Sequence, residues 1–124
     1  EIPKAIRFII APPRMQFYID YAAKIYEIYL KYVSKDDIYV YSIDEAFIDL
    51  TSYVKFYNTD AKSIAKKIMD EILKTTGVTA TCGMGTNLYL AKIALDILAK
   101  HSDDGIASAI FARYKTPLDA STTR

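Results

Sequence analysis

The chain has 124 residues, with 16 Lys and Arg against 15 Asp and Glu, a net charge of +1 and 52% hydrophobic residues. That is one domain's length and a folding composition, which excludes a disordered polyelectrolyte and supplies no overall field to attract a polyanion. A single cysteine, Cys82, excludes an intramolecular disulfide, and no run reaches the about 20 apolar residues of a membrane span, so a cytoplasmic protein with no membrane partner is expected.

Ala5-Ile6-Arg7-Phe8-Ile9-Ile10-Ala11 is a short apolar run closed by Pro12-Pro13, which predicts a strand ending where proline removes ladder donors. The start at Glu1, with nothing nearby resembling a signal peptide, reads as a cut or cloned boundary. From residue 15 to 34 the period changes. Tyr18, Ala22, Ile25, Tyr29 and Tyr32 recur at three- and four-residue steps between charged positions, which predicts an amphipathic helix closed by Ser34-Lys35-Asp36-Asp37.

Residues 38–51 are two runs of β-branched and aromatic side chains with Asp44-Glu45 at their centre, which predicts a hairpin with acids at its bend. Ala61, Ile64, Ala65, Ile68 and Ile72 form a second helical stripe, with Asn58-Thr59-Asp60 as caps and Gly77 at the C′ position. Val78, Ala80, Cys82 and Met84 alternate with small polar residues, the pattern of a half-buried strand. Asn87 then opens a third helix through Ala91, Leu95 and Leu98. After Gly105 the pattern fades to a weak helical signal near Ala107 to Tyr114. The order of elements predicts an α+β fold, palm-like or ferredoxin-like, with a mainly antiparallel sheet and helices packed on one face.

Neighbours in a straight strand point to opposite faces, so Asp44 and Glu45 can share one ion only at a bend. Two carboxylates held close repel unless something positive offsets them, and a hard divalent cation such as Mg²⁺ is suited to oxygen ligands. The inert alternative is a solvated polar turn. Against it, Ser42 to Asp49 contains no Gly, Asn or Pro, so these residues are poor choices for a tight turn as such.

Tyr41-Ser42-Ile43-Asp44-Glu45-Ala46-Phe47-Ile48-Asp49-Leu50-Thr51 resembles the second catalytic motif of Y-family, lesion-bypassing DNA polymerases. Gly77 through Ala94 resembles the family's strand, turn and helix that carry a triphosphate-contacting lysine, and the wording is most similar to the UmuC-like (ImpB/MucB/SamB) branch. The resemblance implies a palm segment over residues 1–105, with 106–124 a short tail. It implies that Asp44 bridges two Mg²⁺ ions, that Glu45 holds the ion activating the primer 3′-hydroxyl, and that Lys92 meets the nucleotide's phosphates.

Primer-template DNA and a deoxynucleoside triphosphate are the implied substrates of the complete enzyme, with a sliding clamp and damage-response proteins as partners. The family's N-terminal aspartate strand and its fingers lie before the matched region, so the segment alone is expected to be inactive. An open sheet edge would then favour a homodimer.

Two rivals are a nucleotidyl or diguanylate cyclase, whose glycine-rich hairpin bend is missing here, and a non-catalytic ferredoxin-like module. Among other groups, Tyr18, Tyr29 and Tyr32 read as core packing rather than base-stacking platforms, and Cys82 reads as a small buried hydrophobe. Gly83 and Gly85 read as points of close backbone approach, and Asp49 as a solvent-side strand residue.

Overall fold

The computed structural model describes residues 5–108, and within them the fold is α+β. Helix α1 spans Met15–Tyr32, ending where Val33 turns extended. A short 3₁₀ turn, Lys35–Asp37, follows, and the Ser34 side chain caps it by accepting from the Asp36 amide. Strands β1 (Ile38–Ser42) and β2 (Glu45–Ile48) form an antiparallel hairpin with Ile38 opposite Ile48 and Val40 opposite Ala46.

Helix α2 (Thr51–Phe56) was not foreseen in the sequence. The predicted hairpin ran on to residue 51, but Asp49 leaves the strand and its carboxylate accepts from the Thr51 amide at 2.9 Å and the Thr51 hydroxyl at 2.6 Å. Asp49 is thus a turn acceptor at a helix start, not a strand residue, and these bonds lower its pKa from the ordinary 3.8. Six residues rich in β-branched and aromatic side chains carry too little helical signal to announce α2.

Helix α3 (Ala61–Thr76) has the predicted ends. The Asp60 side chain accepts from the Ser63 amide at 2.7 Å, and Gly77 closes the helix at φ 74°, a left-handed conformation that glycine adopts without cost from a Cβ. Ile28 of α1 packs with Ile64, Ile68 and Ile72 of α3, and Ile25, Tyr29, Tyr32, Leu50, Tyr53 and Val54 close around this cluster. Tyr53 fastens α2 to the end of α1: its hydroxyl donates to Asp37 Oδ2 at 2.6 Å and accepts from the Ser34 amide at 2.7 Å. Tyr18, expected on the same buried stripe, is 44% exposed, because the first turns of α1 run past the end of the packed region.

Strand β3 is shorter than the alternation predicted, Cys82–Met84, since a strand lasts only as far as its partner. That partner is β4 (Ile106–Ser108), which runs parallel with Cys82 opposite Ile106. Residues 106–108, given to the tail in the sequence reading, therefore pair with β3, and Ile106 is buried. Between the two strands the chain forms α4 (Leu88–Ile93), a π turn over Ala94–Leu98 and a 3₁₀ turn at Ala99–His101.

Among the described residues the sheet is two separate two-stranded ladders, β1-β2 and β3-β4. A groove of about 940 Å³ is lined by β1, β2 and β3 and by Ile68 and Ile72 of α3. The apolar run at residues 5–11, predicted to be a strand, has no regular structure, and Ile9 is 94% exposed. β-propensity without a partner to take the ladder hydrogen bonds does not make a strand.

Candidate metal and nucleotide site

The hairpin bend brings the two acids to one side. Ser42 pairs with Glu45, leaving Ile43 and Asp44 as the connection, and the register slips between Val40 and Ser42 so that Tyr41 is an extra residue in β1. Among the described non-glycine residues only Asn58 has positive φ, so this turn is neither of the primed types that match strand twist by themselves. The bulge at Tyr41 supplies the added local twist instead. Asp44 consequently stands in the turn and Glu45 opens β2. The Ser42 hydroxyl lies 3.0 Å from Asp44 Oδ1, to which it donates, and 3.5 Å from Glu45 Oε2. One hydroxyl within reach of both carboxylates means that they share a side of the ribbon.

Lys92 arrives from the opposite half of the molecule. Asn87 caps α4 by accepting from the Leu90 amide at 2.8 Å, as its sequence position predicts. The approach of α4 to β3 requires two glycines: a Cβ at Gly83 would lie 2.2 Å from the Ala91 carbonyl oxygen, and one at Gly85 would lie 2.6 Å from the Ala91 amide nitrogen. The neighbour that demands these glycines is the helix carrying Lys92. With that helix seated, Lys92 Nζ donates to Glu45 Oε1 at 2.6 Å and to Asp96 Oδ1 at 3.3 Å, and it stands 5.3 Å from the centre of the Tyr41 ring. The bond to Glu45 is the main reason that the ammonium holds its proton more firmly than an ordinary lysine, with Asp96 adding to it.

Asp44, Glu45 and Lys92, singled out from the sequence, are therefore neighbours in space. Ser42, Tyr41 and Asp96 complete the cluster and were not foreseen. Asp96 had a signal, because it lies four residues after Lys92 on one helical run. Ser42 and Tyr41 became partners through the expected bend together with the bulge at Tyr41, and no local pattern announced the bulge.

Two carboxylates and a serine hydroxyl form a hard oxygen donor set that suits Mg²⁺. Among the described residues no third Asp, Glu, His or Cys joins them in a cluster able to hold a metal. Cys82 is half-buried and burial pushes its thiol above the ordinary 9.0, in keeping with a structural side chain. No helix among the described residues is long and apolar enough to cross a membrane.

Known proteins are similar to this chain over most of its length. The chain is 40% identical over 110 residues to DNA polymerase IV 2 of Bacillus subtilis, which covers 89% of this chain and 26% of that protein. It is 33% identical over 107 residues to the putative UV-damage repair protein UvrX of the same organism, covering 86% of this chain and 24% of that one. Among solved structures, DinB from Sulfolobus solfataricus superposes with a TM-score of 0.67 at 35% identity, over 81% of this chain and 28% of that chain. An insertion ternary complex of Dbh DNA polymerase gives a TM-score of 0.68 with the same identity and coverage. The chain thus spans about a quarter of the length of the curated relatives it matches. A profile of the impB/mucB/samB family matches residues 2–96, and the chain belongs to that family.

Proposed function

We propose that this chain is the metal-bearing palm part of a DNA-directed DNA polymerase that copies past damaged bases, with Asp44 and Glu45 as cation ligands and Lys92 as the contact to the incoming nucleotide's phosphates. The observation that carries the reading is the meeting of the Asp44 and Glu45 carboxylates at the Ser42 hydroxyl, with the Lys92 ammonium on Glu45. The relatives' names, a DNA polymerase and a UV-damage repair protein, support the substrate class and the setting.

When bound, a pair of Mg²⁺ ions supplies activation of the attacking 3′-hydroxyl and neutralisation of charge on the leaving pyrophosphate. The chain's own contribution is positional. The hairpin fixes Asp44 and Glu45 on a β-ribbon, where Asp44 would be a ligand shared by the ions and Glu45 a ligand of the one serving the primer end. Ser42 orients the carboxylates, and Lys92 presents a mobile point charge beside the groove to a phosphate.

With two carboxylates rather than three, the chain holds metal weakly and does not by itself extend a primer. The groove lined by β2 and β3 suits a further extended segment of the whole protein, which would join the two ladders and bring the third acid. The test is Mn²⁺ titration of the chain by electron paramagnetic resonance. Saturable binding that Asp44→Ala abolishes, with an unchanged circular dichroism spectrum, supports the metal site. Binding that survives Asp44→Ala favours the non-catalytic module.

A further inference from the structure

Lys92 has two carboxylate partners on two different elements. Glu45 belongs to the hairpin and Asp96 to the same helical run as Lys92, within the π turn. Among the described residues these are its only ion pairs. The pair with Asp96 is a poor candidate for simple helix support, because a cation four residues before an anion is the weaker of the two orientations along a helix. A π turn is also uncommon and tends to mark functional positions.

In the structure the ammonium lies on Glu45 Oε1, one oxygen of a carboxylate that a cation on Asp44 and Glu45 would also use, while Glu45 Oε2 lies near the Ser42 hydroxyl that also reaches Asp44. The ammonium and the divalent ion therefore compete for one carboxylate. Asp96 offers the ammonium a second partner that does not depend on the hairpin, and the 3.3 Å contact is already present. The Tyr41 ring 5.3 Å away gives the released ammonium a further favourable face.

We propose that Asp96 is a positioning residue for Lys92: it receives the ammonium when a divalent cation takes Glu45, and so keeps the lysine at the edge of the groove, ready for a phosphate. The proposal rests on the reading of Asp44 and Glu45 as cation ligands. The bland alternative is that Asp96 is one more negative charge near the site, which would favour any cation there by through-space attraction alone. The two differ in whether the effect of Asp96 requires Lys92.

The experiment is Mn²⁺ titration of the chain and of Lys92→Met, Asp96→Asn, the double variant, Asp96→Glu and Asp44→Ala, with circular dichroism as a check of folding. Removal of the competing ammonium in Lys92→Met tightens binding about two- to fivefold, the range of a partly exposed ion pair. Asp96→Asn weakens binding by a similar factor, because Lys92 then keeps to Glu45, and Asp96→Glu restores it. In the Lys92→Met background Asp96→Asn has no effect. An equal loss from Asp96→Asn with and without Lys92 would overturn the proposal in favour of plain charge, as would unchanged or weaker binding in Lys92→Met. Binding that Asp44→Ala leaves intact would overturn the metal reading itself, and this inference with it.

Discussion

Lys92 Nζ and Glu45 Oε1 lie 2.6 Å apart, although 47 residues separate them in the chain. The contact joins the β1-β2 hairpin to the β3-α4 half of the molecule, across ladders that share no strand hydrogen bonds. Glu45→Gln removes the charge from both the lysine pair and the candidate cation site. The expected outcome is Mn²⁺ binding weakened by about tenfold or more, since affinity follows ligand charge, with the domain still folded by circular dichroism.

Gly83 and Gly77 are required for different reasons, and alanine separates them. At Gly83 a Cβ meets backbone atoms of Ala91 and Leu95 at 2.2 Å, so α4 must shift. At Gly77 nothing lies within 4 Å, and only the left-handed φ of 74° resists a side chain. Gly77→Ala should cost about 1–2 kcal/mol, and Gly83→Ala more than that, at or beyond the about 1–3 kcal/mol of an overpacked core. Urea unfolding of the two variants gives the order directly. Gly83→Ala should also weaken Mn²⁺ binding less than it weakens stability, because the cation's ligands stand on the hairpin.

The core between α1 and α3 is small, so each member counts. Ile72 is 2% exposed within the Ile28, Ile64 and Ile68 cluster, and Ile72→Ala should cost about 2–5 kcal/mol from lost burial and the cavity left behind. Ile97, 60% exposed on the π turn, is the control: Ile97→Ala should stay within about 0.5 kcal/mol. Denaturant midpoints that fail to separate the two would place the core elsewhere.

Stability should fall in acid through Asp49, whose Thr51 bonds lower its pKa, and through Asp60 and Asp104. The Ser63 bonds hold Asp60 below its ordinary 3.8. The Lys62 ammonium, 3.0 Å away, is the first cause of the same shift at Asp104, with the Ile106 amide second. A carboxylate with a lower pKa folded than unfolded binds fewer protons in the folded state. Its stabilisation is therefore complete above the unfolded-state pKa and is lost as pH drops through the folded-state value. Urea midpoints between about pH 6 and pH 2 should decline mainly below about pH 4, and the double variant Asp60→Asn with Asp104→Asn should flatten that decline.

Cys82 should react slowly with a thiol reagent in the native chain and quickly in urea, because burial disfavours the thiolate that attacks. A native rate equal to the unfolded rate would show an exposed thiol and contradict the half-buried position on β3.

What the sequence determined by itself was whatever depends on near neighbours. The periodic stripes of α1 and α3, the Asp60 and Asn87 caps, the left-handed Gly77 and the hairpin with acids at its bend all follow from residues a few positions apart, and all are present. Asp44, Glu45 and Lys92 were legible as candidates from the two motifs around them. Tertiary structure alone decided which strands exist: residues 5–11 have strand-forming side chains and no partner, whereas Ile106–Ser108 gave little signal and became a strand because β3 was there to accept it. It also decided the company of Lys92, since the bulge at Tyr41 and the close approach at Gly83 set where the hairpin and the helix meet. Local patterns encode torsions and burial, but a ladder or an ion pair between distant segments needs both members brought into place, and the packing of the remaining chain supplies that.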